Sequence, residues 1–301
     1  MRAPACLAVS LLAALAAAQT PRLDPQDPRP NLGNEGEVKV FHIGPYTLPA
    51  GRQIGTLLLP GEFEQFVPAP NPGDVYMTGF DSRIVDQNLV PQDPQLLYLH
   101  HAVLVKALAP DLTCARIGGE RFAAAGAERI PFALPDGHGY RIRGSDTVFC
   151  ILHMQNFTLA PKTVYYQFSM TVRPGSAALK EVRPLWLDVV NCTSTYIVPS
   201  GTGLDVRSAE FPLTQRMTVL TMGPHLHCGG VKLELIDKAS QQLLHGFPNL
   251  NPCPVDLRTV LPATPLVLPA GSTVILRATY QRDPTKSLDA MGILLSYVVL
   301  G

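Results

Sequence analysis

Proline sets the limits on what this chain can fold into. There are 29 prolines and 24 glycines in 301 residues. From Val38 onward they cut the sequence into β-prone runs at intervals of roughly 8 to 15 residues, close to the spacing of a sandwich or barrel. Each proline fixes φ and removes a backbone donor, so long helices are excluded. The runs include Val38 to Ile43, Ile54 to Leu59, Val75 to Phe80, Leu96 to Leu104, Thr147 to His153, Val164 to Val172, Trp186 to Val190, Met217 to Met222, Val231 to Ile236, Thr273 to Thr279 and Gly292 to Leu300. Only Glu120 to Ala127 could form a short helix, and Gly126 counts against even that. The 46% hydrophobic content is enough to offset the entropy of ordering a core, so disorder is excluded. A formal net charge of zero provides no field for gripping phosphates, which argues against nucleic acid as a partner. The expected fold is all-β, with two tandem antiparallel β-sandwich domains of jelly-roll-like type.

The first residues read as a secretory signal. Met1-Arg2 gives a basic start, Leu7 to Ala18 is uncharged and mostly apolar, and Ala16-Ala17-Ala18 offers small residues for cleavage. The run is shorter than the about 20 residues a membrane span needs. Residues 1–18 are therefore the expected signal peptide, and a secreted or periplasmic location follows, with no membrane span. Residues 19–36 read as a disordered lead-in. Leu48-Pro49-Ala50-Gly51 and Leu268-Pro269-Ala270-Gly271 look alike, and both read as turns launching strands. Turn residues and charges between Val172 and Pro184 mark the expected boundary, giving domains at 37–180 and 181–301.

Beyond the signal there are five cysteines, Cys114, Cys150, Cys192, Cys228 and Cys253. An odd number leaves at least one thiol outside any internal disulfide, and spacing does not choose among the pairings.

The histidines carry the chemistry. His100-His101 sits inside a strand-like run, His153 ends another, and His225-Leu226-His227 follows a third. On a strand His225 and His227 share a face about 7 Å apart, a suitable separation for chelating one metal. His100 and His101 point to opposite faces unless a bulge, a strand end or binding through the ring nitrogen nearer the backbone brings them together. A lone buried histidine is more often a hydrogen-bonded core residue than a ligand. His42, His138 and His245 lack partner spacing and read as surface or structural.

These residues resemble a known family. Leu97-Tyr98-Leu99-His100-His101 is similar to the His-His motif of the copper type II, ascorbate-dependent monooxygenases, the group of peptidylglycine α-hydroxylating and dopamine β-monooxygenases. Leu134-Pro135-Asp136-Gly137-His138-Gly139 resembles that family's Pro-x-Gly-x-Gly turn, and Phe149-Cys150-Ile151-Leu152-His153 the strand with its third histidine. Pro224-His225-Leu226-His227 and Asp289-Ala290-Met291-Gly292 resemble the segments of its second copper site. The resemblance spans roughly residues 38 to 301 and is near the stress-upregulated nodulin-like branch around Gly44-Pro45-Tyr46 and Arg83-Ile84-Val85-Asp86.

The resemblance implies two coppers facing each other across a cleft. His100, His101 and His153 would hold the electron-transfer copper. His225, His227 and Met291 would hold the copper where dioxygen meets substrate, and they are the expected catalytic set. A small-molecule substrate, dioxygen and a small reductant such as ascorbate are the implied partners. Asp86, Asp146, Gln155 and Asp289 are candidates for orienting the ligands. Gly223, Ile293 and Leu295 stand where the peptide-amidating branch holds its substrate carboxylate, and none donates a side-chain hydrogen bond. Peptide amidation is therefore disfavoured and a small or apolar substrate expected. Three readings stand at this point: a secreted copper monooxygenase, a non-enzymatic copper-binding or stress-related protein of the same fold, and an interaction sandwich with incidental histidines. For Cys228, next to His227, the expectation is a structural disulfide to Cys253; the rival is a thiolate ligand.

Overall fold

The computed structural model describes residues 36–51, 73–126, 131–192, 195–249 and 259–301, with the backbone of the strands Arg22–Leu23 and Phe63–Val67. The expected signal peptide, the run from Ile54 to Leu59 and Cys253 lie outside the described residues. Of the expected lead-in, Arg22–Leu23 pairs with His42 and Phe41, and Gly36 borders the first long strand.

The described chain is almost all strand, with a single 3-10 turn at Ala115–Ile117. Glu37–Leu48, Lys162–Pro174 and Val75–Asp86 form the middle of one sheet, and Phe63–Val67, Val148–Asn156, Leu97–Ala107 and Gly119–Ala125 form the sheet facing it. Between them lies a core that includes Phe41, Phe80, Phe122, Tyr166 and Phe168. In the second half, Arg183–Asp188, Gly292–Leu300, Met217–Leu226 and Leu266–Leu268 make one sheet and Leu204–Pro212, Thr273–Gln281, Gly230–Asp237 and Leu243–Pro248 the other. Their shared core includes Leu187, Met222, Leu235, Leu276 and Leu294. These are two antiparallel β-sandwiches in tandem. Partnership changes over two residues: Lys180–Glu181 pairs in parallel with His138–Gly139, while Arg183–Asp188 pairs with Gly292–Leu300.

Of the doubtful helix at Glu120 to Ala127, the described part is a strand, Gly119–Ala125, paired with Leu97–Ala107. Every residue in it is buried, and small alanines let the layers approach on both faces, so packing overrides alanine's helix propensity. The turn at Leu268 to Gly271 behaves as expected: Gly271 takes φ 78°, a region that favours glycine. Ser272 N donates to Pro269 O at 3.3 Å, and the strand Thr273–Gln281 follows.

Cys114 and Cys192 form a disulfide across 78 residues of sequence. It ties a loop of the first sandwich to the second. Cys228 is also disulfide-bonded, which removes it as a thiolate ligand. Cys150 is free and fully buried in the first core, where burial pushes its thiol pKa up. The Asn156-Phe157-Thr158 glycosylation sequon is sealed in the fold: Asn156 is buried and its Nδ2 donates to the carbonyls of Leu48, Pro49 and Ala160.

A third apolar cluster fills the seam between the sandwiches. Val103, Val105 and Ala124 come from the first, and Trp186, Met291, Ile293 and Leu295 from the second. Each buried Val, Leu or Ile contributes about 1.5–3 kcal/mol, so this cluster outweighs any single polar contact across the seam.

Candidate metal centre and adjoining cavity

The histidine pair is brought together by a bulge. Leu99 pairs with Met154 and His101 with His153, so His100 is the extra residue in its strand. The alternation of faces breaks there. His100 and His101 consequently point into one space, with their Nδ1 atoms 2.9 Å apart. His153 joins from the neighbouring strand, its ring centroid 4.4 Å from that of His100. One ligand atom from each of the three lies within 4.8 Å of the others. All three side chains are buried.

His225 and Ile293 are cross-strand partners, and Leu226 ends the strand, so His227 lies just beyond it. Met291 sits in the break between the strands Leu288–Ala290 and Gly292–Leu300. His225 Nε2 is 3.1 Å from Met291 Sδ, and the rings of His225 and His227 are 5.1 Å apart. His227 Nδ1 donates to the Asp289 carbonyl at 3.1 Å, which leaves Nε2 as the ring atom that could hold a metal. Tyr280 fixes the backbone beneath both His227 and Met291. Its hydroxyl accepts from His227 N at 2.8 Å and Met291 N at 3.2 Å, and donates to Met291 O at 2.5 Å. Tyr280 is fully buried, and burial raises its phenol well above the ordinary value, so it stays a donor.

The two groups are not separated by a cleft. The rings of His100 and His227 stand 4.3 Å apart, and His100 Nε2 lies 3.0 Å from Asp289 Oδ2. His100, His227 and Asp289 therefore form a second set of three with ligand atoms within 4.8 Å. His100 belongs to both sets. Of the other candidates for orienting ligands, Asp86 accepts from the backbone of Asn88 and Val90, and Asp146 from Arg143 N; both serve turns. Gln155 lies opposite Tyr98. His42 is a buried partner of Gln167 at 2.6 Å, and His138 Nδ1 donates to Asp136 O.

Beside His101, His225 and Met291 opens a cavity of about 390 Å³, at the small end of ordinary ligand pockets. Val103, Ala124, Ile151 and Ile293 give it apolar walls. Trp186, Asp188 and Arg121 are its polar side chains away from the histidines. Arg121 is bound through Nε and Nη2 to Asp111 at 2.8 and 3.1 Å, and its guanidinium lies 4.6 Å over the Trp186 ring. Burial pushes the Asp188 carboxyl up to about 7, against the backbone hydrogen bond from Val190 and the charges of Arg121 and His225. In the sequence Trp186 and Asp188 stand out only as members of the run Trp186 to Val190, and Tyr280, just past the run Thr273 to Thr279, does not stand out at all. Each looks like an ordinary strand residue until distant strands are packed together.

Among the described residues no helix is long and apolar enough to cross a membrane. No family model and no curated protein matches the chain. Solved structures with some similarity include PNGF-II, at 11% identity over 92% of this chain and 64% of that one, with a TM-score of 0.35. A chain of the Sulfolobus turreted icosahedral virus has 8% identity over 90% and 62%, with a TM-score of 0.24. The major capsid protein of bacteriophage PM2 has 11% identity over 85% and 97%, with a TM-score of 0.29. The chain spans less than two thirds of the length of the first two. Likeness at this level carries nothing about function.

Proposed function

We propose that this chain is a secreted, copper-dependent monooxygenase that hydroxylates a small, mostly apolar substrate with dioxygen and an ascorbate-type reductant. The observation that carries the reading is the gathering of five imidazoles and one thioether at a buried seam, next to an apolar cavity. The donor set suits copper better than its rivals. Three imidazoles alone would also suit zinc. The thioether of Met291 beside His225 favours a soft ion, and imidazole serves both copper oxidation states. His100, His101 and His153 would hold one copper, and His225, His227 and Met291 the other. Copper, when bound, supplies the one-electron and dioxygen chemistry that side chains cannot.

The protein's share is positioning and exclusion. The Asp289 carbonyl and the Tyr280 hydroxyl orient His227 and Met291. The apolar walls keep bulk water from the reacting carbon. In the net reaction one oxygen atom enters a C–H bond and the other leaves as water, with two electrons from the reductant and two protons. An oxidising compartment is in keeping with the Cys114–Cys192 disulfide.

Metal analysis after copper reconstitution tests the proposal: two coppers per chain are expected, and a protein that holds none ends it. A second reading, a copper-binding protein without turnover, is favoured by the apolar side chains of Ile293 and Leu295 in the seam cluster. Oxygen uptake decides between them. Consumption coupled to ascorbate oxidation and a hydroxylated product supports the enzyme, and copper binding without it supports the second reading.

A further inference from the structure

The cavity carries two polar groups whose hydrogen-bonding capacity the fold does not use. Trp186 and Asp188 are alternate residues of the strand Arg183–Asp188, so they share a face. Across the sheet they pair with Leu295 and Ile293, which offer no hydrogen bonds. Trp186 Nε1 is buried with no partner among the described residues. Asp188 is 3% exposed. Its Oδ1 accepts from Val190 N at 2.9 Å, and its Oδ2 has no hydrogen bond among the described residues. A buried donor and a buried acceptor on one cavity wall, both open, call for a ligand.

The chemistry of that ligand follows by matching head groups. A carboxylate would accept from Trp186 but meet Asp188 with like charge, and Arg121 is already committed to Asp111. An ammonium would pair with Asp188 but has no lone pair for Trp186 Nε1, and it would stand near the Arg121 guanidinium. A purely apolar ligand leaves both groups unpaired. A hydroxyl both donates and accepts.

We propose that the cavity takes a small apolar alcohol, whose hydroxyl donates to Asp188 Oδ2 and accepts from Trp186 Nε1 while its hydrocarbon body lies against Val103, Ala124, Ile151 and Ile293. The inference rests on the copper reading only in making this ligand the substrate held beside His225 and Met291; the binding itself needs no metal.

Trp186 is the sole tryptophan of the chain, so its fluorescence reports on the cavity directly. Cyclohexylmethanol, cyclohexylmethylamine and cyclohexanecarboxylate share a body and differ in the head. Titrated into the metal-free protein at about pH 8.5, where Asp188 is ionised and the amine still protonated, the alcohol is expected to bind about tenfold or more tightly than either ion. Calorimetry on the copper-loaded protein should repeat the ranking. Asp188→Leu should weaken the alcohol about tenfold, and Asp188→Asn should weaken it too, since its one oxygen stays on Val190 N and its NH2 turns a donor toward the cavity. Equal affinities for the three heads, tighter binding of either ion, no binding of any, or an unchanged alcohol affinity in a folded Asp188→Leu variant overturns the proposal. Alcohol selectivity in a protein that takes up no copper would keep this inference and end the copper reading. Copper uptake without alcohol selectivity would do the reverse.

Discussion

Tyr280→Phe is the most informative single change, because it removes one oxygen atom and nothing else from the frame of the second ligand group. That oxygen accepts from His227 N and Met291 N and donates to Met291 O. The ring stays packed, 6.0 Å from that of Tyr196. At about 1 kcal/mol for each hydrogen bond lost, the variant should be less stable by about 3 kcal/mol. For a chain of 301 residues that corresponds to a fall in Tm of roughly 5 °C. Circular dichroism of the metal-free protein measures it. The site should respond as well. Loss of an orienting partner commonly weakens metal binding by about 10–100-fold, so copper titration of the variant should show one weakened site and one of parent affinity. A Tm change under about 2 °C, or equal weakening of both coppers, would show that the hydroxyl does not hold His227 and Met291 as argued.

Other outcomes follow from the same geometry. Met291→Ala and His153→Ala should each lose about one bound copper, whereas His100→Ala, whose ring serves both groups, should weaken both in the same stoichiometry assay. In the metal-free protein Asp188 titrates at about 7 folded, above its ordinary carboxyl value. The folded state therefore binds more protons, and stability falls as pH rises from about 4 to 7, by an amount on the order of 4 kcal/mol. Asp188→Asn should raise Tm at pH 8 and leave it nearly unchanged at pH 4. Replacing both Cys114 and Cys192 with serine opens a loop of 78 residues' separation, so loop-closure entropy predicts a loss of about 4.5 kcal/mol, read by denaturant unfolding. A thiol reagent should leave Cys150 unmodified in the native protein and label it on unfolding, as peptide mapping would show.

The strand pattern was readable because Pro and Gly punctuate it and apolar residues recur between them. The strand Gly119–Ala125 was not legible: the alanines of Glu120 to Ala127 favour a helix locally, and Gly126 counts against one. Its conformation is set by the pairing with Leu97–Ala107 and by burial on both faces, neither of which is a local property. His225 and His227 could be placed on one face by the period of two alone. His100 and His101 could not, since their convergence depends on a bulge that shows only when Leu99 and His101 are set against Met154 and His153. Tyr280, Trp186 and Asp188 carried no signal of their own. Their roles come from strands separated by tens of residues, and a buried tyrosine that clamps two backbones reads the same as one that fills space.

The ring contact between His100 and His227 has a structural cause, and it lies in the seam. Tyr297 OH donates to Phe122 O at 2.5 Å, and Arg183 Nε donates to Glu120 Oε1 at 2.6 Å. Thr113 Oγ1 donates to Trp186 O. Leu220, Tyr297 and Val299 of the second sandwich pack into the core of the first. With the disulfide added, the sandwiches are joined by apolar packing, hydrogen bonds and a covalent link, each independent of any metal. An ordinary hinge would place histidines from two domains near one another only part of the time. Here the docking holds His100 within reach of Asp289 and of His227 in the resting protein. Ligand placement is thus tied to the stability of the seam, so a change that loosens Val103, Ile293 or Leu295 would disturb both ligand groups and the cavity together while each sandwich kept its own core.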